Sequence, residues 1–152
     1  MKVIAVLIPT FNIEYSLDVL NGISDYFRDK EVKVVIIQTR IPGVNQGAFD
    51  YQYCTGFEYA KSKEVDAVIC VSGLYASQMN EDKLRELLQA FEPRPVVSIA
   101  LELNSRNSYV IKADCRRSFK DIVNHLKKEH DCKKIAFFSA NETKSKEALE
   151  RY

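Results

Sequence analysis

Short β-branched runs recur along the chain at Val3 to Ile8, Val34 to Ile37, Ala67 to Val71 and Val96 to Ile99, with further candidates at Tyr109 to Ile111 and Ile135 to Phe138. Each is apolar without alternation, the pattern of a strand covered on both faces, as in a parallel sheet. Between the runs the apolar residues take helical spacing: Leu17, Leu20, Ile23 and Phe27; then Phe49, Tyr53, Phe57 and Ala60; then Leu84, Leu87, Leu88 and Phe91. Asn80 or Ser77 can cap the third helix, and Pro93 and Pro95 stop it before the fourth strand. "DCRRSFKDIVNHLKKEH" predicts one more helix. Where strand and helix alternate, each helix returns the chain to pair the next strand in parallel through a right-handed crossover. The expectation is an α/β fold built on a doubly wound parallel sheet, in the order 2-1-3-4 with further strands beyond.

With 152 residues, 46% of them hydrophobic, the chain has enough apolar material for one ordinary globular core. Its net charge of +1 gives no electrostatic footprint for a nucleic-acid or membrane partner, and the local basic excess from Arg116 to Lys134 reads as a solvated helix face. No apolar run approaches the ~20 residues that span a bilayer. The opening "MKVIAVLIPTFN" is β-branched, holds Pro9 and lacks a small-residue cleavage site, so it reads as a buried first strand rather than a signal peptide. A soluble, cytoplasmic protein is expected. Cys54, Cys70, Cys115 and Cys132 are scattered and form no C-x-x-C pair, which favours reduced structural thiols over a zinc or redox motif.

In a doubly wound sheet, ligands collect at the carboxyl ends of the strands near a topological switch point. That directs attention to "PTFNIEY", "TRIPGVNQG", "SGLYASQ" and "LELNSRN", the segments after the first four strands. Phe11 and Tyr15 could wall a small-molecule cleft, with Asn12, Thr39 and Ser72 supplying fixed hydrogen bonds. Equally, Phe11 could plug the core and Ser72-Gly73 could be a simple turn. Glycine-rich phosphate loops and a G-x-S-x-G nucleophile elbow are absent, and Ile8-Pro9-Thr10 stands where a phospho-receiver would carry a magnesium-binding acidic cluster. No enzyme activity and no cofactor are expected. His125 and His130, with Cys132 nearby, do not by spacing alone assign a metal site.

The segment from Pro95 onward, "RPVVSIALELNSRNSYVIKADCRRSFKDIVNHLKKEHDCKKIAFFSANETKSKEALERY", resembles the middle of the ligand-binding domain of LacI/GalR regulators, a periplasmic-binding-protein-like fold of type I. The family pattern has a proline-led strand, a second strand ending in Asp-Asn, a helix with His-Leu near its end, a basic turn and an "IAFI" strand. Upstream, "VIAVLIPTFNIEYSLDVLNGI" and "KEVDAVICVSG" are similar to the family's first strand and helix and its third strand. "PVVSIALEL", "EH-CKKIAFF" and the closing "EALERY" look closest to sensor modules that precede diguanylate cyclase or kinase domains.

The resemblance implies a flavodoxin-like first lobe over residues 1–113 and the incomplete start of a second lobe over 114–152, closing on a small effector held between lobes. Carried over by position, Phe11, Asn12 and Tyr15 would line the first-lobe wall, Ser72 and Gly73 would lie near the cleft, and Asp114 would mark the crossing into the second lobe. Arg151 matches an arginine that contacts ligand hydroxyls in sugar-binding members. Asp114 also has a reading of its own, as a carboxylate capping the first turn of the helix that follows. Ala100 replaces the aspartate of many sugar-binding relatives and Cys115 the asparagine after the hinge aspartate, which argues against a sugar. The chain enters its first strand at Lys2 or Val3, without the repressors' helix-turn-helix, so direct DNA reading is not expected.

"KEALERY" reads as the opening of a second-lobe helix, left with the Ile135 to Phe138 strand in need of a packing partner. A homodimer is therefore expected. Two other classes stay open: a dimerisation or scaffold module with a vestigial cleft, and a small flavodoxin-like enzyme.

Overall fold

The computed structural model describes residues 1–44 and 47–138 and shows an α/β chain. Five parallel strands, β1 (Lys2–Ile8), β2 (Val32–Gln38), β3 (Ala67–Cys70), β4 (Val96–Ile99) and β5 (Ser108–Ile111), form one sheet in the order β2-β1-β3-β4-β5. The connecting helices are α1 (Glu14–Phe27), α2 (Asp50–Ala60), α3 (Ser72–Ala76) and α4 (Glu81–Gln89), with α5 (Cys115–Glu129) following β5. This is the doubly wound, flavodoxin-like architecture expected from the alternation of strand and helix. The chain divides into two compact units, Met1–Lys112 and Ala113–Tyr152.

In the first unit the unbroken apolar character of β1 follows from its place between β2 and β3. Ala5 and Leu7 enter a core shared with Phe57, Tyr75, Leu84, Leu88 and Phe91, while Val6 and Ile8 enter a second core with Leu20 and Val71. Alternate residues of one strand thus serve opposite faces of the sheet, and neither face tolerates a polar side chain. The register runs Lys2 opposite Val32 through Ile8 opposite Gln38, and Ile4 opposite Ala67 on the other side. Asn80 caps α4, its side-chain oxygen accepting the Asp82 amide at 2.8 Å and the Lys83 amide at 3.3 Å, an arrangement worth about 1 kcal/mol.

Two helices sit differently from their sequence stripes. In α1, Leu20 is buried and Ile23 packs against the core as the stripe predicts, but Ser16 takes the first inward position in place of Leu17, which is 50% exposed. The reason is local geometry: Ser16, Leu20, Ile23 and Phe27 also follow helical spacing, and a small residue at 16 lets the first turn lie close to the sheet. In α2, Phe49 is the N-cap with φ 68° and is exposed, so only Phe57 and Ala60 are buried in the core.

Within the second unit, the Asp114 side chain accepts the Arg117 amide at 2.9 Å and caps α5. Lys127 and Lys128 occupy the last turn, where cations complement the helix dipole. Ile135 to Phe138 does not form the expected strand. A strand requires a paired neighbour, and among the described residues the sheet ends at β5; instead the Phe137 ring meets Phe119 of α5 edge to face, centroids 5.4 Å apart. The "KEALERY" helix lies outside the described residues.

Candidate functional site

The order β2-β1-β3 makes the gap beyond the carboxyl ends of β1 and β3 the switch point, because the chain winds outward to β2 and then crosses back. A cavity of about 450 Å³ opens there, wholly within the first unit. The segment after β1 supplies Pro9, Thr10 and Ile13; β2 and the segment after it supply Gln38, Arg40 and Ile41; α2 supplies Tyr53; and the α3 region supplies Leu74, Ser77 and Gln78.

Local hydrogen bonds hold these walls. The Thr10 hydroxyl oxygen accepts the Asn12 amide at 3.1 Å, tightening the turn after β1. Thr39 extends the ladder by donating its amide to the Ile8 carbonyl at 2.9 Å, and its hydroxyl lies 2.5 Å from the Tyr75 phenol in the interior. Arg40 is ion-paired to Asp50, and its guanidinium stands 4.4 Å above the Tyr53 ring. The carboxylate of Asp50 raises the Arg40 pKa further above its already high value, while its second oxygen accepts the Gly47 amide at 3.2 Å. Arg40 is thereby held over the Tyr53 ring, with its charge balanced by Asp50.

Chemically the cavity offers the amides of Gln38 and Gln78, the hydroxyls of Thr10, Ser77 and Tyr53 and one compensated guanidinium, beside an apolar surface of Ile13, Ile41, Leu74 and the Tyr53 ring. Such a mixture orients a small molecule having one polar and one apolar side. The described residues lining it include no histidine, cysteine or carboxylate. Close by in the fold, burial pushes the Cys70 thiol and the Tyr75 phenol well above their ordinary ranges, so both stay protonated at neutral pH.

The residues singled out in the sequence fall elsewhere. Phe11 packs against the core cluster of Val6, Ile8, Leu20 and Val71, the plug role left open above. Asn12 is exposed and Tyr15, on the first turn of α1, is 46% exposed. Ser72 is fully buried: its hydroxyl lies 2.6 Å from both the Ser98 hydroxyl and the Ile99 carbonyl, and accepts the Leu101 amide at 3.3 Å. Gly73 follows it because a Cβ there would stand 2.9 Å from that of Ala100. Ser72 and Gly73 therefore latch the ends of β3 and β4 together and do not line the cavity. Asp114 is the α5 cap described above, and Arg151 lies outside the described residues.

Three of the four loops predicted to carry a site do contribute to the cavity, and "LELNSRN" does not. Thr10, Arg40, Tyr53 and Gln78 were not among the predicted site residues. Arg40 could have been found as the one cation in the segment after β2, whereas Tyr53 was hidden within an apparent core stripe. Among the described residues no group of three or more His, Cys, Asp or Glu side chains comes together as a metal cluster, and no helix is long and apolar enough to cross a membrane. Comparison with protein-family models gives no match, and neither the curated proteins nor the solved structures give a significant one.

Proposed function

We propose that the chain is a non-enzymatic small-molecule-sensing module whose ligand occupies the carboxyl-edge cavity. The observation that carries this is the coincidence of the cavity with the β1/β3 switch point, where the fold leaves strand ends uncovered. The compensated Arg40–Asp50 pair and the apolar wall favour a compact, uncharged molecule over a strong anion. The LacI/GalR resemblance of the sequence supplies the biological reading, an effector sensor serving a transcriptional regulator or a signalling output such as a diguanylate cyclase.

Thermal-shift measurements against a panel of neutral metabolites test it. A ligand that raises the melting temperature of the native chain should fail to do so for Gln78→Trp, which fills the cavity from an exposed position. Stabilisation that is equal in both proteins would refute the assignment.

A self-associating scaffold is the second reading, favoured by β5. Among the described residues this edge strand pairs with β4 alone, and its Tyr109 and Ile111 are 63% and 60% exposed. Light scattering decides it: a second copy paired along β5 predicts a dimer that Tyr109→Lys dissociates, and a monomer at all concentrations refutes it.

A further inference from the structure

The two histidines of this chain, His125 and His130, come together at the carboxyl end of α5. On an unbroken helix, residues five apart point in different directions. His130 is the C-cap, with φ −117° and ψ 4°, and this departure from helical geometry folds its ring back toward His125. The two Nε2 atoms lie 3.2 Å apart, both side chains are exposed, and the rings stand at 74° with centroids 4.9 Å apart.

A straight N–H···N bond would separate the centroids by that 3.2 Å plus a ring radius at each end. The observed centroid distance is shorter, so the ring axes are bent out of line with each other. Two imidazoles sharing one ion are bent in this way. With metal–nitrogen bonds of about 2.05 Å, a 3.2 Å separation corresponds to an N–metal–N angle of about 103°, close to tetrahedral. The negative end of the α5 dipole favours a cation at the same place, and the ammonium groups of Lys127 and Lys128 in the same turn oppose it.

We propose that His125 and His130 form a two-histidine site for a borderline divalent transition ion such as Zn²⁺ or Ni²⁺, the ions that neutral imidazole prefers. Because no third His, Cys, Asp or Glu joins them among the described residues, water or a second copy completes the coordination, and binding is labile.

Calorimetric titration of the untagged chain with Ni²⁺ alone, paired with NMR of the histidine ring signals, tests this. The expected result is one class of sites holding no more than one ion per chain, with both histidine signals broadened together. Affinity should fall at least roughly tenfold in His125→Ala and in His130→Ala, and should persist in Cys132→Ser. Both histidines are exposed, so their replacement leaves the fold intact. No binding, binding indifferent to either histidine, or binding lost only in Cys132→Ser would overturn the proposal.

Discussion

The Thr39 hydroxyl and the Tyr75 phenol meet 2.5 Å apart in the interior, joining the segment after β2 to α3. Thr39 lies between the cavity-lining Gln38 and Arg40, and Tyr75 follows Leu74, so this contact ties two walls of the proposed site. Tyr75→Phe leaves the buried Thr39 hydroxyl without that partner and should cost about 1–3 kcal/mol, whereas adding Thr39→Val should recover part of the loss. Urea denaturation of the native, single and double variants reads this directly; additive losses would show that the pair is not coupled.

Close approach of α2 to β2 rests on Gly56. A Cβ there would stand 2.6 Å from the Ile37 Cγ2 and 3.0 Å from the Thr39 Cγ2. Gly56→Ala, despite its better helix propensity, should therefore destabilise the fold by about 1–3 kcal/mol. A stability equal to or above the native value would show that the helix can move away at little cost.

Arg94 gathers backbone carbonyls at one end of the sheet. Its guanidinium donates to the carbonyls of Val65 at 2.8 Å, Lys61 at 2.7 Å and Ser62 at 2.9 Å, fastening the end of α2 to the approach to β4. A lysine keeps the charge and loses the fork. Arg94→Lys should cost about 1–3 kcal/mol in denaturant melts, and an unchanged midpoint would contradict this account of the loop.

Asp66 links the start of β1 to the loop before β3. Its carboxylate accepts the Lys2 ammonium at 2.7 Å and the Val3 amide at 2.8 Å, and these bonds hold its pKa below the ordinary 3.8. A depressed folded-state pKa contributes stability that is present above the unfolded value and is lost as pH falls through the folded one. The stability difference between the native chain and Asp66→Asn should thus be constant near neutrality and shrink below about pH 4. A difference that stays constant down to pH 2 would rule out this linkage.

The central strand was legible because a parallel strand buried on both faces has no polar position to blur it, as Ala5 to Ile8 illustrate; the edge strands β2 and β5 show the same apolar run but leave Ile36, Tyr109 and Ile111 exposed. Helix facing was less so: Leu17 and Ser16 differ by one step, and only the packed structure reveals that the small residue turns inward. Ile135 to Phe138 has the composition of a strand, yet composition cannot supply the neighbour a strand must pair with. At the candidate site the loops were readable and the side chains were not. Arg40 acquires its place from Asp50 and Tyr53, which reach it from a helix beginning ten residues later in the chain. Ser72, polar and at a strand end, looked like a ligand contact because nothing local signals its bonds to Ser98 and Leu101.

The central claim, that a ligand binds at the β1/β3 switch point, is tested most directly by amide NMR shift mapping of the native chain against a library of small neutral compounds. The account predicts that saturable binders perturb Thr10, Ile13, Arg40, Tyr53 and Gln78 together and leave the buried Ser72–Ser98 latch undisturbed. Binders whose shifts map elsewhere, or a library with no saturable binder at this cavity, would contradict it.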